Sequence, residues 1–365
     1  MRIIDLKVHA LSVERHHQTV IAAPGRTIPP QDAPPTRSHF LLLEVHTDDE
    51  IVGFGELSDI EVSRVDQEEV LAKLSAVLLD QDPFHLEHLM ERLAGDPLLA
   101  SAADSALYDL QGKALGIPVY NLMGGCYRDQ VLVSWVFFIR HPELIAQEAE
   151  EMVRRGFRAF KLKVGLDIDH DEECVRIVRE IAGSGALIKL DASGAWSVED
   201  AIANIRRLER YDLQGVETPT DRRDIAGMAR IRRLVGVPII EHADIFQSLG
   251  YALDLVRQEA VDVFNVSVVG SGICRTKRFL ALAEAAELEC LLGSTVEMGV
   301  GTAAQLHLAA SSPVVTFPSD LVGPAMYVDD YIERPFRYEP GGYLRVPTGL
   351  GLGVEVSQAQ LAALA

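Results

Sequence analysis

The chain has little of what builds a disulfide frame, a zinc site, a membrane span or a nucleic-acid surface. Its 365 residues hold four cysteines, Cys126, Cys174, Cys274 and Cys290, widely spaced and with no CxxC. They read as reduced core residues. No apolar run approaches the roughly 18 residues of a spanning helix. Residues 1–13 lack a signal-peptide cleavage pattern, so the expectation is a soluble, cytoplasmic protein. Lys and Arg number 34 against 54 Asp and Glu, a formal charge of −20. Phosphate binding needs clustered cations, so a nucleic-acid partner is excluded and an anionic membrane disfavoured. A small anionic substrate is not excluded, because a few buried cations reverse the field locally. Internal repeats and low-complexity tracts are also missing.

A hydrophobic content of 48% supplies an ample core, and at about 150 residues per domain the length suggests two. Residues 2–13 and 39–56 have strand character, and helices are expected at 66–79, 84–93 and 99–115, the last stopped by Gly116 and Pro118. Between the strands lies a Pro-rich stretch, from Pro24 through Pro29 and Pro30 to Pro34 and Pro35, which reads as a mobile flap. From about residue 131 strands and helices alternate. Strands are expected at 131–138, 158–164, 187–191, 214–217, 237–241, 261–267, 288–292 and 313–317. Helices such as 142–155, 169–183, 198–210, 222–234, 247–259, 274–287 and 299–310 separate them. This rhythm predicts an α/β fold with a (β/α)8 TIM barrel. A doubly wound sheet is the alternative, weakened by the lack of a glycine-rich first turn. The expected division is an N-terminal α+β domain over 1–125, a barrel over 126–320 and a C-terminal segment, 321–365, packing back on the first domain.

Lys161 and Lys163 end the run from Ala159 to Val164, and a period of two points both to one face. Two ammonium groups on one face are expected to lower each other's pKa toward the range of a base. An isolated KxK is more often a solvated pair on a strand edge. Here, however, Asp191 and Glu217 each close the next strand-like runs, and barrel chemistry sits at the C-terminal ends of strands. Acid oxygens at such a rim favour a hard cation such as Mg²⁺.

These residues, with Gly53-Phe54-Gly55-Glu56 and the segment Ala102 to Lys113 continuing to Pro118 and Leu122-Met123-Gly124-Gly125, resemble the enolase superfamily in its mandelate racemase and muconate-lactonizing enzyme branch. The resemblance implies a modified barrel under an N-terminal capping domain and a homo-oligomer, dimer or octamer. It also implies a Mg²⁺ ion that binds a small-molecule carboxylate while a base removes the α-proton and an enediolate forms. Carried over residue by residue, Lys163 is the base, Lys161 its electrostatic partner, and Asp191 and Glu217 metal ligands. Glu297 matches an acid placed near the substrate carboxylate. Ser193 stands where the family often has Asn.

Two positions depart from the pattern. The third metal carboxylate is replaced by His242, which favours softer divalent ions than Mg²⁺. Either His242 is the third ligand, or Glu241 or Asp244 takes over. The sixth strand should carry a second lysine, but Asn265 and Ser267 stand there. With no evident partner opposite Lys163, a one-base reaction is expected: β-elimination from a hydroxy acid, as in acid-sugar dehydratases, or cycloisomerisation. The alternatives are a racemase or epimerase, and a catalytically impaired barrel that only binds a carboxylate. Specificity is expected in residues 14–38, with His16, His17, Arg26 and Arg37 as candidates, and in 57–64.

Overall fold

The structure is a computed structural model and describes residues 1–57, 66–244 and 248–365. Residues 58–64 of the second expected specificity loop, and the expected helix start at 247, lie outside that range. Three antiparallel strands open the chain: β1 (Ile3–Glu14), β2 (Arg37–Thr47) and β3 (Val52–Leu57). Where one strand was expected over 39–56, a turn at 48–51 makes two. Helices α1 (Gln67–Leu78), α2 (Leu86–Arg92) and α3 (Pro97–Leu115) cover one face of this sheet. Asp96 caps α3 through the Leu99 N–H, Pro97 sits at its start, and Gly116 ends it at φ 70°. Close approach of α3 to the sheet requires Gly55, since a Cβ there would stand 2.8 Å from the carbonyl carbon of Ala102.

The barrel strands are β5 (Trp135–Phe137), β6 (Ala159–Lys163), β7 (Leu187–Asp191), β8 (Gly215–Glu217), β9 (Ile239–His242), β10 (Val263–Val266) and β11 (Glu289–Leu292), paired in sequence order and parallel. Short β4 (Gln130–Leu132) breaks from β5 and pairs antiparallel with β12 (Tyr343–Arg345). The eighth barrel position, expected as a strand over 313–317, is an extended segment joined through Cys290–Val315 and Val133–Ser319 bridges. Pro313 and Pro318 lack the N–H groups that a regular ladder there needs. Around the barrel run α4 (Pro142–Arg154), α5 (Ile168–Ala182), α6 (Val198–Leu208), α7 (Ile225–Leu234), α8 (Leu249–Arg257), α9 (Gly272–Ala285) and α10 (Gly299–Ser311), with α11 (Gln358–Leu364) near the C-terminus. Side chains of Asp167, Ser197, Asp224 and Ser248 cap α5 to α8.

Two carboxylates of the first 125 residues close helix ends on the barrel. Glu56 accepts from the Met298 and Gly301 N–H groups at 2.9 Å each and from the Tyr331 hydroxyl, while Asp104 accepts from the Ile273 and Cys274 N–H groups. Both sit at helix N-termini, where negative charge is favoured. The segment between β1 and the Pro-rich stretch crosses the barrel mouth: the Ile139 N–H donates to the Val20 carbonyl at 2.9 Å, and Ala22 lies against Gly165. Among the described residues no helix is long and apolar enough to cross a membrane.

Candidate functional site

Strand register puts the chemistry on one face. Lys163 is level with Asp191, Asp191 with Glu217, and Lys161 with Lys189 one step deeper. Side chains two apart on these strands share a direction, so Lys161, Lys163, Lys189, Asp191, Glu217, His242 and Asn265 turn to the barrel interior. Ile240, Val263 and Leu291, with Phe317 packed on them, form an apolar cluster in the same interior.

Lys161 is the hub. Its ammonium lies 2.9 Å from Asp191 Oδ2, 2.8 Å from Glu217 Oε2 and 2.9 Å from Asp320 Oδ2. Lys163 donates to Asp191 Oδ2 at 2.6 Å. Lys189, with no exposed side chain, lies 2.8 Å from Asp320 Oδ1 and donates to the Pro318 carbonyl at 2.6 Å. Three lysines therefore face three carboxylates. This corrects the expectation for Lys161. Burial does oppose its charge, but Asp191, Asp320 and Glu217 override that and hold its pKa well above the lysine range. For Asp191 burial pushes upward, yet Lys161 and Lys163 hold the carboxyl well below its usual range. At Lys189 burial dominates and lowers the pKa, with Lys161 adding to it. Lys189 and Asp320 were missed in the sequence. The period of two that paired Lys161 with Lys163 also pairs Lys189 with Asp191, and could have flagged the third lysine.

The other expected site residues are placed as follows. The Glu297 carboxylate accepts from the Ser294 hydroxyl at 2.5 Å, the Thr295 N–H at 2.9 Å and the Gln305 amide at 3.4 Å, and burial pushes its pKa up. Ser267 accepts from Gln305 and Val269, which uses its hydroxyl structurally. Glu241 turns outward to the Tyr251 hydroxyl, and burial pushes its carboxyl up to about 7. Asp244 accepts from the Ser267 N–H at 2.8 Å. His242 has Nδ1 3.5 Å from Asp244 Oδ1, and its Nε2 lies with Asn265 Oδ1 against the space that a Cβ on Gly293 would fill. Among the described residues no three His, Cys, Asp or Glu side chains gather as a metal centre. Asp191 and Glu217 are joined by Lys161, and His242 is directed toward Asp244. As the donors stand, the expected trio of Asp191, Glu217 and His242 does not fit a divalent ion.

A cavity of about 310 Å³ opens over the lysines. Lys161, Lys163 and Asp320 line it from the barrel, with Ser294, Thr295 and Val296 beside them, and Arg15, Thr19 and Ile21 close it from the segment that follows β1. Arg15, and not His16, His17, Arg26 or Arg37, is the flap cation on this cavity. Its Nε donates to the Ser38 hydroxyl at 2.6 Å and its guanidinium lies over the Tyr327 ring. Arg15, Lys161 and Lys163 bring three cations to the lining, where Asp320 is the carboxylate present, while Asp191 and Glu217 pair with the two lysines just beneath it. Ser193, Thr218 and Val296 all sit at the rim with φ of 51°, 41° and 61°. Left-handed backbone is costly for β-branched Thr and Val and concentrates at functional sites. Larger hollows, of about 740 and 780 Å³, lie elsewhere and include neither Lys161 nor Lys163.

Residues 144–360 match the family described as enolase C-terminal domain-like, and residues 16–124 the mandelate racemase/muconate lactonizing enzyme N-terminal domain. The chain is 29% identical to the N-succinyl-L-Arg/Lys racemase of Bacillus cereus, over 88% of this chain and 89% of that protein. The crystal structure of that racemase superposes with a TM-score of 0.89 at 27% identity, covering 100% of this chain and 98% of the other. It is 32% identical to the hydrophobic dipeptide epimerase of Enterococcus faecalis over 75% of this chain and 80% of that protein. The structure of the latter with Mg and the dipeptide L-Leu-L-Tyr gives a TM-score of 0.86 at 28% identity, covering 97% and 100% of the two chains. Muconate cycloisomerase 1 of Rhodococcus opacus is 32% identical over 73% of this chain and 72% of that protein. All three are isomerases by name. With both of its domain matches spanning most of its length, this chain belongs to the mandelate racemase/muconate lactonizing enzyme family of the enolase superfamily.

Proposed function

We propose that this chain is an isomerase that binds a small carboxylate in the cavity over the lysines and moves the proton on the carbon beside that carboxylate, with Lys163 as the base. The placement of Lys163 carries this reading. Of the three interior lysines it is the most exposed, 17% against 5% for Lys161 and none for Lys189. It lies on the cavity wall, and Asp191 behind it fixes its direction. Negative charge develops on the carboxylate as the proton leaves, so positive charge around it must be in place beforehand. Arg15 and Lys161 on the lining supply that charge, and Arg15 orients the substrate, since the donors of Lys161 are taken by Asp191, Glu217 and Asp320.

With Ser267 in place of a second lysine, a one-base isomerisation such as cycloisomerisation is the reaction the side chains support best. Epimerisation is the rival, since two of the relatives are a racemase and an epimerase. Dehydration gains no support from these relatives. Mg²⁺ is expected from the resemblance and is present in the dipeptide epimerase structure, but Asp191, Glu217 and His242 as placed do not fit a divalent ion, so no step of this reading runs through one. A second reading, a barrel that binds a carboxylate without turnover, is favoured by one observation: His242 and Ser267 stand where the family pattern has an acid and a lysine.

The test is incubation in deuterated water with N-succinyl amino acids, dipeptides and muconates, followed by NMR. Wild-type protein should incorporate deuterium at the carbon beside the carboxylate, and Lys163→Ala should lower that exchange by at least about 100-fold. Exchange that persists in the variant would place the base elsewhere. Loss of optical rotation at unchanged mass, apart from one deuterium, would make the enzyme an epimerase or racemase.

A further inference from the structure

The disagreement between the expected metal ligands and their actual partners has a common cause. All four carboxylate oxygens of Asp191 and Glu217 already have protein donors. Asp191 Oδ1 accepts from the Ser193 N–H at 2.8 Å and from its hydroxyl at 2.9 Å. Asp191 Oδ2 takes the ammonium groups of both Lys161 and Lys163. Glu217 Oε2 accepts from Lys161, and Glu217 Oε1 accepts from the Asn265 amide nitrogen at 2.9 Å. The amide therefore presents its N–H side, which repels a cation, to the oxygen that an ion would use.

We propose that Asp191, Glu217 and Asp320 hold the ammonium of Lys161 as the resident cation of this barrel, and that the chain does not take up Mg²⁺ there. An ammonium carries three donors and is a compact point charge. Lys161 meets three carboxylates at 2.8 to 2.9 Å, one for each donor. With Lys163 and Lys189 the set is electrically balanced, so a divalent ion would enter only by turning out a buried ammonium. The third ligand position points the same way. A carboxylate there would add a negative charge ready for an added cation, whereas the His242 imidazole adds no negative charge to be compensated. The identity of these side chains, together with what each oxygen accepts, carries the inference.

This inference shares its site with the proposed function but not its test. The full-length protein is stripped with EDTA, dialysed, and titrated with MgCl2 and with MnCl2 by calorimetry, with Mn²⁺ also followed by electron paramagnetic resonance. No saturable heat and a free-ion Mn²⁺ spectrum at millimolar concentrations are expected for wild type. Lys161→Met keeps the length of the side chain and uncovers the three carboxylates. It should bind Mn²⁺ more than about tenfold more tightly than wild type. One equivalent of bound metal in the protein as purified, or micromolar Mg²⁺ affinity in the stripped wild type, overturns the proposal. So does a folded Lys161→Met variant with no gain, and if that variant does not fold the wild-type titrations decide alone. Deuterium exchange in the stripped protein is scored separately. Exchange without metal binding upholds both readings, and no exchange without metal binding sinks only the proposed function.

Discussion

Replacing Asp320 with asparagine isolates the part of the ionic cluster that the sequence hid. Lys161 would keep Asp191 and Glu217, but Lys189 would keep only neutral acceptors, the Pro318 carbonyl and the new amide oxygen, and its side chain has no exposure to water. Removing one partner of a buried pair costs about 3–5 kcal/mol, because the remaining charge is stranded. For a chain of this length about 1.3 °C of melting temperature accompanies each kcal/mol, so a fall of about 4–7 °C is expected by calorimetry at pH 7. The pH dependence is also fixed. Burial pushes the Asp320 carboxyl up, but Lys161 and Lys189 override it and hold it below the usual range. A folded-state pKa below the unfolded value of about 3.9 gives stability that is complete above that value and lost as the pH falls through the folded one. The deficit of Asp320→Asn should therefore be largest near neutrality and shrink below about pH 4. Adding Lys189→Met should restore much of the loss, since the stranded charge is then gone. A melting temperature within about 1 °C of wild type, or a deficit that grows on acidification, would refute this account of how Lys189 is tolerated.

Other outcomes follow from the same geometry. Arg15→Met should weaken binding of a carboxylate ligand by about tenfold in calorimetric titration, roughly the worth of one charge-assisted contact, while Lys163→Ala should change proton exchange far more than affinity. Glu56→Gln cannot accept from the Met298 and Gly301 N–H groups together, and should lower the urea midpoint by an amount equivalent to about 1–3 kcal/mol. Gly55→Ala should destabilise by about 1–3 kcal/mol or more in the same assay, because its methyl group meets the Ala102 backbone.

The alternation of apolar strands and amphipathic helices from about residue 131 made the barrel legible, and Lys161, Lys163, Asp191 and Glu217 were legible because each ends a strand at the expected spacing. What escaped was tertiary. Ile188-Lys189-Leu190-Asp191 read as an apolar run closed by an acid, yet the lysine inside it turns to the barrel interior and is held by Asp320, 131 positions away. Asp320 itself follows Pro318 in a segment without regular ladder bonds, so no periodicity marked it. Arg15 fell inside the expected specificity segment 14–38 but was not among its candidate cations, and only the crossing of the segment after β1 over the mouth brings it to the cavity. The lysine pair was expected to perturb itself; with three carboxylates around Lys161, the opposite sign prevails.

The carboxylate clamps at the helix ends bear on how any ligand acts on the whole molecule. Glu56 and Asp104 fasten the first 125 residues to α10 and α9, and the cavity is walled by both parts, with Arg15, Thr19 and Ile21 on one side and Lys161, Lys163 and Thr295 on the other. A molecule lodged there bridges the two parts as a further fastener. Its binding energy is therefore shared with the joint between them, and at a hundred times its dissociation constant it adds about 2.7 kcal/mol to the assembled state. Heat resistance becomes a readout of occupancy whether or not a proton moves, so compounds can be ranked by it before any turnover is known.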